Sequence, residues 1–176
     1  MLMSEIEIID GVAVTVNGDT LTIKGKRGST TKTIDTRLLA VKVEGKKVTV
    51  SGASNKKLQK KAVLAEQAFG TEVRDSIHTV NEGIERKMTV VFAHFPMSIE
   101  VKGKNVIIKN IFGEKVPRNA VIVGDSKVEV KGQDVKVTGV DKYDVGQTMA
   151  NIKIACKSRG QDTRVFQDGI YPAREE

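Results

Sequence analysis

Residues 99–108 read IEVKGKNVII, a stretch in which apolar and polar side chains alternate up to a turn centred on Gly103. Residues 14–23 read VTVNGDTLTI and follow the same order, with Gly18 lying 85 positions before Gly103. Alternation of this kind, interrupted by a glycine turn, is typical of a β-hairpin with one buried face. Each half of the chain therefore contains a copy of the same predicted hairpin.

A second hairpin pattern also occurs in both halves. Residues 41–50 (VKVEGKKVTV) match residues 128–137 (VEVKGQDVKV) at an offset of 87, and residues 82–84 (EGI) match residues 168–170 (DGI) at an offset of 86. Three matches at a nearly constant offset indicate a tandem duplication. A copy of about 85 residues is large enough to bury a hydrophobic core of its own.

After the second hairpin, each copy changes to the spacing of an amphipathic helix. In the first copy the apolar face comprises Leu58, Ala62, Ala65, Phe69, Val73, Ile77 and Val80. In the second copy it comprises Val145, Met149, Ile152 and Cys156. Ser54 or Asn55 is predicted to cap the first helix and Asp141 the second, and residues 81–83 are predicted to end the first.

Further strands are predicted at residues 12–16, 33–35 and 88–92, where β-branched side chains are frequent. The predicted fold class is α+β, with two tandem homologous domains at residues 1–85 and 86–176. Each domain is predicted to be an antiparallel β-sheet packed against one long α-helix.

The chain is basic, with 29 Lys and Arg against 22 Asp and Glu among 176 residues, a net charge of +7. Residues 1–86 carry +3 of this excess and residues 87–176 carry +4, so no charged tail holds it. A basic protein favours a polyanionic partner, because cations near phosphates release condensed counterions. Mild basicity is also common among soluble proteins, so charge alone leaves the question open.

Localisation can be predicted from what the sequence lacks. The single cysteine, Cys156, excludes an internal disulfide framework and fits a reducing compartment. Residues 1–11 have no basic residue of the kind that begins a secretory signal. No apolar run approaches the roughly 20 residues that span a bilayer. We expect a soluble, cytoplasmic protein without a membrane partner.

Signals of catalysis are weak. His78 and His94 lack a nearby nucleophile or carboxylate partner in the sequence pattern, and structural or solvated histidines are the favoured interpretation. Cys156 falls on the predicted buried helix face, which favours a core residue over a reactive thiol. Residues 25–28 (GKRG) lack the context of a phosphate-binding loop. We predict no enzyme, no cofactor, no metal site and no small-molecule substrate.

Basic side chains form two groups. Lys56, Lys57, Lys60 and Lys61 begin the first helix, where cations either face an anion or, as favoured here, are simply solvated. Basic and polar residues from Lys153 to Tyr171 follow the exposed side and end of the second helix, and such groups can engage phosphates and 2′-hydroxyls. The alternative is a C-terminal strand that docks Phe166 and Ile170 into the core, while its cations are simply solvated.

Aromatic residues are scarce, with five Phe, two Tyr and no Trp. Proteins that read single strands stack bases on exposed aromatic rings. If this chain binds RNA, we expect it to read backbone shape in folded helices rather than unstacked bases.

Two motifs carry a resemblance to a known family. Residues 141–152 (DKYDVGQTMANI) and residues 164–171 (RVFQDGIY) resemble the helix start and the tail motif of the universal large-subunit ribosomal protein six family. The tail is similar to that of the archaeal and eukaryotic branch, not to the Pro-Tyr-Lys-Gly-Lys-Gly tail of the bacterial branch. The duplicated architecture matches over essentially the whole chain, and its shortness favours the archaeal type.

The resemblance implies a structural constituent of the large ribosomal subunit. Its partners would be large-subunit rRNA, close to the sarcin–ricin and translation-factor-binding region, and neighbouring ribosomal proteins. The C-terminal domain would make most rRNA contacts, through Lys142, Gly146, Gln147, Asn151, Lys157, Arg159, Arg164, Gln167, Asp168, Gly169 and Tyr171. Helix geometry adds Lys153. The rival hypothesis is a two-domain protein-interaction scaffold without direct RNA contact, which would present its strand edges to protein partners.

Overall fold

A computed structural model of the chain describes residues 3–52, 58–93, 95–160 and 162–173. The chain divides into two compact units, Met1–Gly83 and Ile84–Glu176. The sequence places the domain boundary after residue 85, two residues further along. No helix in the described ranges is both long and apolar enough to cross a membrane.

The first unit contains six strands and one helix. The strands are β1 (Met3–Glu7), β2 (Ala13–Asn17), β3 (Thr20–Lys24), β4 (Ser29–Thr33), β5 (Leu39–Glu44) and β6 (Lys47–Gly52), and the helix is α1 (Gln59–Glu82). They form two antiparallel three-stranded sheets, ordered β1-β6-β5 and β2-β3-β4.

The second unit repeats this plan with one additional strand. Its elements are β7 (Ile84–Val91), β8 (Ser98–Lys102), β9 (Asn105–Lys109), a 3-10 turn (Ile111–Gly113), β10 (Arg118–Val121), β11 (Lys127–Lys131), β12 (Asp134–Gly139), α2 (Lys142–Ala155) and β13 (Gly169–Pro172). The sheets are ordered β10-β9-β8 and β11-β12-β7-β13, again with antiparallel pairs.

The predicted α+β class with two units is confirmed, and the structure divides the strands of each unit between two sheets. In the first unit Leu21 and Ile23 of β3 are fully buried, as are Val48 and Val50 of β6. Since α1 contacts strands of both sheets, one core lies beneath this helix. The alternation that predicted the hairpins therefore also marks the buried face of each sheet.

In both units the last hairpin ends in a glycine that faces the helix. Gly52 ends β6, and a Cβ atom at this position would lie 3.4 Å from the Cβ of Ala62. Gly139 ends β12, and a Cβ there would lie only 2.6 Å from a methyl carbon of Val145. In the second unit the helix packs so closely against the strand end that a side chain at Gly139 would clash, whereas the contact at Gly52 is near the ordinary van der Waals distance.

The structure confirms the predicted cap of α2 and the predicted end of α1, whereas α1 begins at Gln59 with Leu58 as its N-cap residue and without a side-chain cap. The Asp141 carboxylate accepts a hydrogen bond from the Tyr143 N–H at 2.9 Å and caps α2 as predicted. Gly83 follows α1 with a φ of 79°, and its N–H donates to the Thr79 carbonyl at 2.7 Å. The other proposed caps, Ser54 and Asn55, lie outside the described residues.

The apolar faces of both helices are largely as predicted. Ala62, Phe69, Val73, Ile77 and Val80 of α1, and Val145, Ile152 and Cys156 of the second unit, are buried. Ala65 and Met149 are only half-buried. Glu66 and Thr148 are buried instead, and the Thr148 hydroxyl accepts a hydrogen bond from the Val123 N–H at 3.0 Å.

The prediction of a strand at residues 33–35 is wrong. The strand β4 comes earlier and is polar, with Thr30 and Lys32 on its buried side. The Lys32 ammonium lies 2.9 Å from the Glu72 carboxylate of α1, which compensates the charge where it is nearly buried. At Ile34 the backbone has left the strand, and its N–H donates to the Asp19 carbonyl at 2.7 Å. The strand β1 was not predicted at all.

The third repeated motif, at residues 82–84 and 168–170, marks the start of the strand that follows each helix. The residues after α1 begin β7, which pairs with β12 as β1 pairs with β6 in the first unit. The residues after α2 form β13, which pairs with the other edge of β7. Among the described strands, β13 has no equivalent in the first unit. The second unit therefore has an extra edge strand, which contains the last three residues of the C-terminal motif, Gly169 to Tyr171.

Candidate nucleic-acid interface

Seven of the twelve predicted site residues line cavities at the two ends of α2. At its N-terminal end, Lys142 and Gly146 line a groove of about 1050 Å³ together with Arg86 and Lys87 of β7. At its C-terminal end is a cleft of about 450 Å³, lined in part by Lys153, Lys157, Asp168, Gly169 and Tyr171. Arg86 and Lys87 are exposed cations that sequence reasoning missed, because only sheet pairing brings β7 beside α2.

Arg118 holds the C-terminal end of α2. Its guanidinium donates to the carbonyl of Ala155 at 2.9 Å and to that of Lys157 at 2.8 Å. Carbonyls at a helix C-terminus lack partners within the helix, and a cation is favoured there by the helix dipole. Arg118 was not among the predicted site residues, since it lies 39 positions from Lys157 in the sequence.

Glu114 keeps the Arg118 guanidinium in place. Its carboxylate accepts two hydrogen bonds from that group, one of them at 2.8 Å from Nε. These bonds hold the pKa of Glu114 below its usual range and raise that of Arg118. The nearby charge of Arg159 also lowers the pKa of Glu114, so this exposed cation lies in the same neighbourhood.

Aromatic contacts continue from Arg118 to the segment that follows α2. The guanidinium lies 5.6 Å from the ring centroid of Phe112, a cation–π distance. Phe112 in turn meets Phe166 edge-to-face, with centroids 6.3 Å apart. Phe166 is thus fixed through a side chain that is distant in sequence.

Hydrogen bonds within residues 162–171 hold this segment in a defined turn. The Arg164 N–H donates to the Asp162 carboxylate at 2.9 Å. The Gln167 amide donates to the Arg164 carbonyl at 3.2 Å, and the Tyr171 hydroxyl donates to the Gln167 carbonyl at 3.1 Å. The Arg164 side chain remains exposed, so the turn presents its charge to solvent.

Asp168 and Gly169 are predicted site residues that the structure places inside the unit. Asp168 is 3% exposed, and its carboxylate accepts a hydrogen bond from the Ala93 N–H at 2.8 Å. Gly169 lies beneath the Tyr171 ring, where a Cβ would come within 3.2 Å of ring atoms. Ile170 is buried in the core, as the docked-strand alternative predicted. Docked apolar residues and exposed cations therefore coexist on one segment.

Gln147 and Asn151 form a bridge between α2 and β10. The Gln147 amide donates to the Asn151 side-chain oxygen at 3.0 Å. The Asn151 amide donates to the Val121 carbonyl at 2.9 Å. Both side chains are half-buried, and the hydrogen bonds described for them are internal.

The remaining predicted cations are on the surface. Lys153, Lys157 and Arg159 are exposed, and Ile154 between them is 64% exposed. The Tyr171 ring is 41% exposed at the same end of α2. This part of the second unit combines several cations with a small apolar and aromatic surface.

The groups considered for catalysis have structural or solvated positions. Cys156 is 4% exposed, and burial raises the pKa of its thiol to about 11, which confirms the predicted core cysteine. His78 is exposed on α1, and His94 lies outside the described residues. Within the described ranges, no three His, Cys, Asp or Glu side chains gather in a way that could hold a metal ion. Lys60 and Lys61 are exposed, whereas Lys56 and Lys57 are not described.

A duplicated α+β scaffold with exposed cations around one helix end defines a small, basic two-unit protein. Comparison with known proteins identifies the family to which the chain belongs. The family model described as ribosomal protein L6 matches residues 95–169. The chain is 44% identical to the large ribosomal subunit protein uL6 of Methanocella arvoryzae over 95% of its own length and 93% of that protein.

Similar relatives occur in other archaea. The uL6 protein of Methanosarcina mazei is 43% identical over 94% of this chain and 93% of its own length. The uL6 protein of Archaeoglobus fulgidus is 42% identical over 94% of this chain and 86% of its own length. The chain therefore belongs to the ribosomal protein L6 family, whose members are structural and non-enzymatic, and it is of the archaeal type. The resemblance inferred from the two sequence motifs is confirmed.

Proposed function

We propose that this protein is a constituent of the large ribosomal subunit in the cytoplasm and binds large-subunit rRNA mainly through its second unit. The site would lie close to the sarcin–ricin and translation-factor-binding region, with ribosomal proteins as further neighbours. Family membership supports the ribosomal role. The extra strand β13 and the cations beside it support the second unit as the main RNA-binding part.

The observation that carries this proposal is the arrangement around the C-terminal end of α2. Lys153, Lys157 and Arg159 are exposed there, while Arg118 binds the Ala155 and Lys157 carbonyls from inside. A backbone held in this way loses little entropy when its cations meet phosphates. Each phosphate neutralised releases condensed counterions, which is the main driving force of such binding.

The structure suggests two roles among the predicted site residues. Exposed residues would touch RNA directly: Lys142, Gly146, Lys153, Lys157, Arg159, Arg164 and Tyr171. Residues with internal hydrogen bonds or buried positions would position them: Gln147, Asn151, Gln167, Asp168 and Gly169. Gly146 fits the first role because nothing lies within 4 Å of a Cβ placed there, so an RNA backbone could approach closely.

Sedimentation of the tagged full chain through sucrose gradients tests the proposal. We expect migration with large subunits that resists moderate salt and is lost on RNase treatment. A triple variant of Lys157, Arg159 and Arg164 to Ala should leave the large-subunit fraction. The control triple variant of Lys104, Lys127 and Lys131 to Ala removes the same charge from exposed positions on strands and turns of the same unit.

Two results would count against the proposal. If the first triple variant stays with large subunits as well as its control does, the assignment of the site is wrong. If association survives both RNase and high salt, a protein-interaction scaffold explains the chain better.

A further inference from the structure

The cleft beside the C-terminal end of α2 has two kinds of wall. Lys153 and Lys157 contribute cationic side chains to its lining, and Ile154, Phe166 and Tyr171 contribute apolar and aromatic surface. Its volume of about 450 Å³ lies in the usual range of pockets that hold one small molecule. It is too small for an RNA double helix.

The aromatic wall is rigid. The Tyr171 hydroxyl donates to the Gln167 carbonyl at 3.1 Å, and the ring lies against Gly169, where a Cβ would come within 3.2 Å of it. The strand that carries the ring is anchored by Ile170, which is 1% exposed. A ring that is fixed and yet 41% exposed can accept a flat partner at little entropic cost.

The cationic wall suits phosphates on either side of such a partner. Lys153 lies in the last turn of α2, and Lys157 follows four positions later, both exposed. Arg159 and Arg164 are exposed on the chain that continues from this helix end. Two lysines in the lining of this small cleft, with two exposed arginines on the chain that follows, favour a nucleic acid over a protein partner, because cation-rich contact surfaces are typical of nucleic-acid interfaces.

From this geometry we propose that the cleft takes a single unstacked RNA nucleotide. Its base would stack on Tyr171 and contact Ile154, and its flanking phosphates would contact Lys153 and Lys157. The inference rests on the proposed rRNA-binding function and adds one base contact to backbone recognition. Scarce aromatic residues exclude an extended single-strand reader, but one exposed ring is sufficient for one base.

Two RNA probes test this inference with the full chain. One is a short RNA duplex with a single bulged 2-aminopurine, whose fluorescence falls on stacking, and the other is the same duplex without the bulge. We expect the bulged probe to bind on the order of tenfold more tightly, as expected for one base–aromatic stack, with quenching on binding. Tyr171→Phe keeps the ring but loses the hydroxyl bond to Gln167, so it should keep the quenching with a smaller preference for the bulged probe. Tyr171→Leu keeps an apolar side chain without a stacking ring and should lose both.

The outcomes separate this inference from the proposed function. If both probes bind equally and without quenching, but with strong salt dependence, the nucleotide cleft is wrong and RNA binding stands. If Tyr171→Leu retains the preference and the quenching, the base binds elsewhere and the inference is overturned. If neither probe binds at about 50 mM salt, both this inference and direct RNA binding are contradicted.

Discussion

The Arg118 guanidinium donates a hydrogen bond to the Lys157 carbonyl at 2.8 Å, so one cation holds the backbone of another. Arg118 is directed inward, to the end of α2 and to Glu114, whereas the Lys157 side chain is exposed. The RNA-binding surface proposed here therefore depends on a residue that need not touch RNA.

Replacing Arg118 by Met should destabilise the second unit. The change removes hydrogen bonds from a charged group to two carbonyls, and losses of this kind cost about 1.5–3 kcal/mol. Urea unfolding measures the change in the free energy of unfolding. Arg159→Met, at an exposed position nearby, is the matched control and should stay within about 0.5 kcal/mol of the original protein. Equal effects of the two variants would contradict the role given to Arg118.

Acid should remove the contribution of Glu114 to stability. Hydrogen bonding to Arg118 lowers the pKa of Glu114 in the folded protein, so its contribution to stability is present above the unfolded-chain pKa of about 4.3. That contribution is lost as the pH falls through the lowered folded-state pKa. Unfolding experiments should show Glu114→Gln less stable than the original protein at neutral pH, with a difference that shrinks in acid. Glu129→Gln, at an exposed position on β11, serves as the control. A Glu114→Gln difference that is independent of pH would refute the ion pair.

Gly146→Ala should separate stability from RNA binding. Nothing lies within 4 Å of a Cβ at this exposed position inside α2, and alanine is favoured over glycine in helices by up to about 1 kcal/mol. We expect a higher melting temperature together with weaker rRNA binding, because the methyl group occupies space into which an RNA backbone would pack. Gly139→Ala should instead destabilise the protein, since its Cβ would lie 2.6 Å from Val145. Unchanged rRNA affinity in Gly146→Ala would remove Gly146 from the site.

The Cys156 thiol should not react in the folded protein. It is 4% exposed, and its pKa is raised to about 11 by burial, so the reactive thiolate is scarce near neutral pH. Alkylation followed by mass spectrometry should show slow modification in buffer and complete modification in concentrated urea. Equally fast reaction under both conditions would show that Cys156 is not a core residue.

Local sequence patterns predicted much of the fold because their physics is local. The glycine turns at Gly103 and Gly18, the alternation around them and the Asp141 cap depend on residues a few positions apart. Duplication then supported the interpretation, since each copy confirmed the other. The polar strand β4 was misplaced because its core contacts are made by Thr30 and Lys32, which no apolar alternation marks.

The candidate site was predictable only in part, because its supports are distant in sequence. Aspartate is a residue type that usually lies on the surface. Asp168 instead accepts a hydrogen bond from the Ala93 N–H, which is 75 positions away in the sequence. Arginine is a residue type that often binds phosphates. The Arg118 guanidinium instead donates hydrogen bonds to carbonyls at the end of α2. Family motifs predicted the site residues, and the structure distinguishes those that face solvent from those that make internal hydrogen bonds.

The most direct measurement for the central claim is the salt dependence of binding to archaeal large-subunit rRNA. For the triple variant of Lys157, Arg159 and Arg164, the slope of log K against log salt should flatten by roughly 2 to 3, since each phosphate contact contributes about 0.7 to 0.9. The slope for the control triple variant of Lys104, Lys127 and Lys131 should match that of the original protein. Equal slopes for all three proteins, or an equal loss in both variants, would contradict an RNA-binding surface at the C-terminal end of α2.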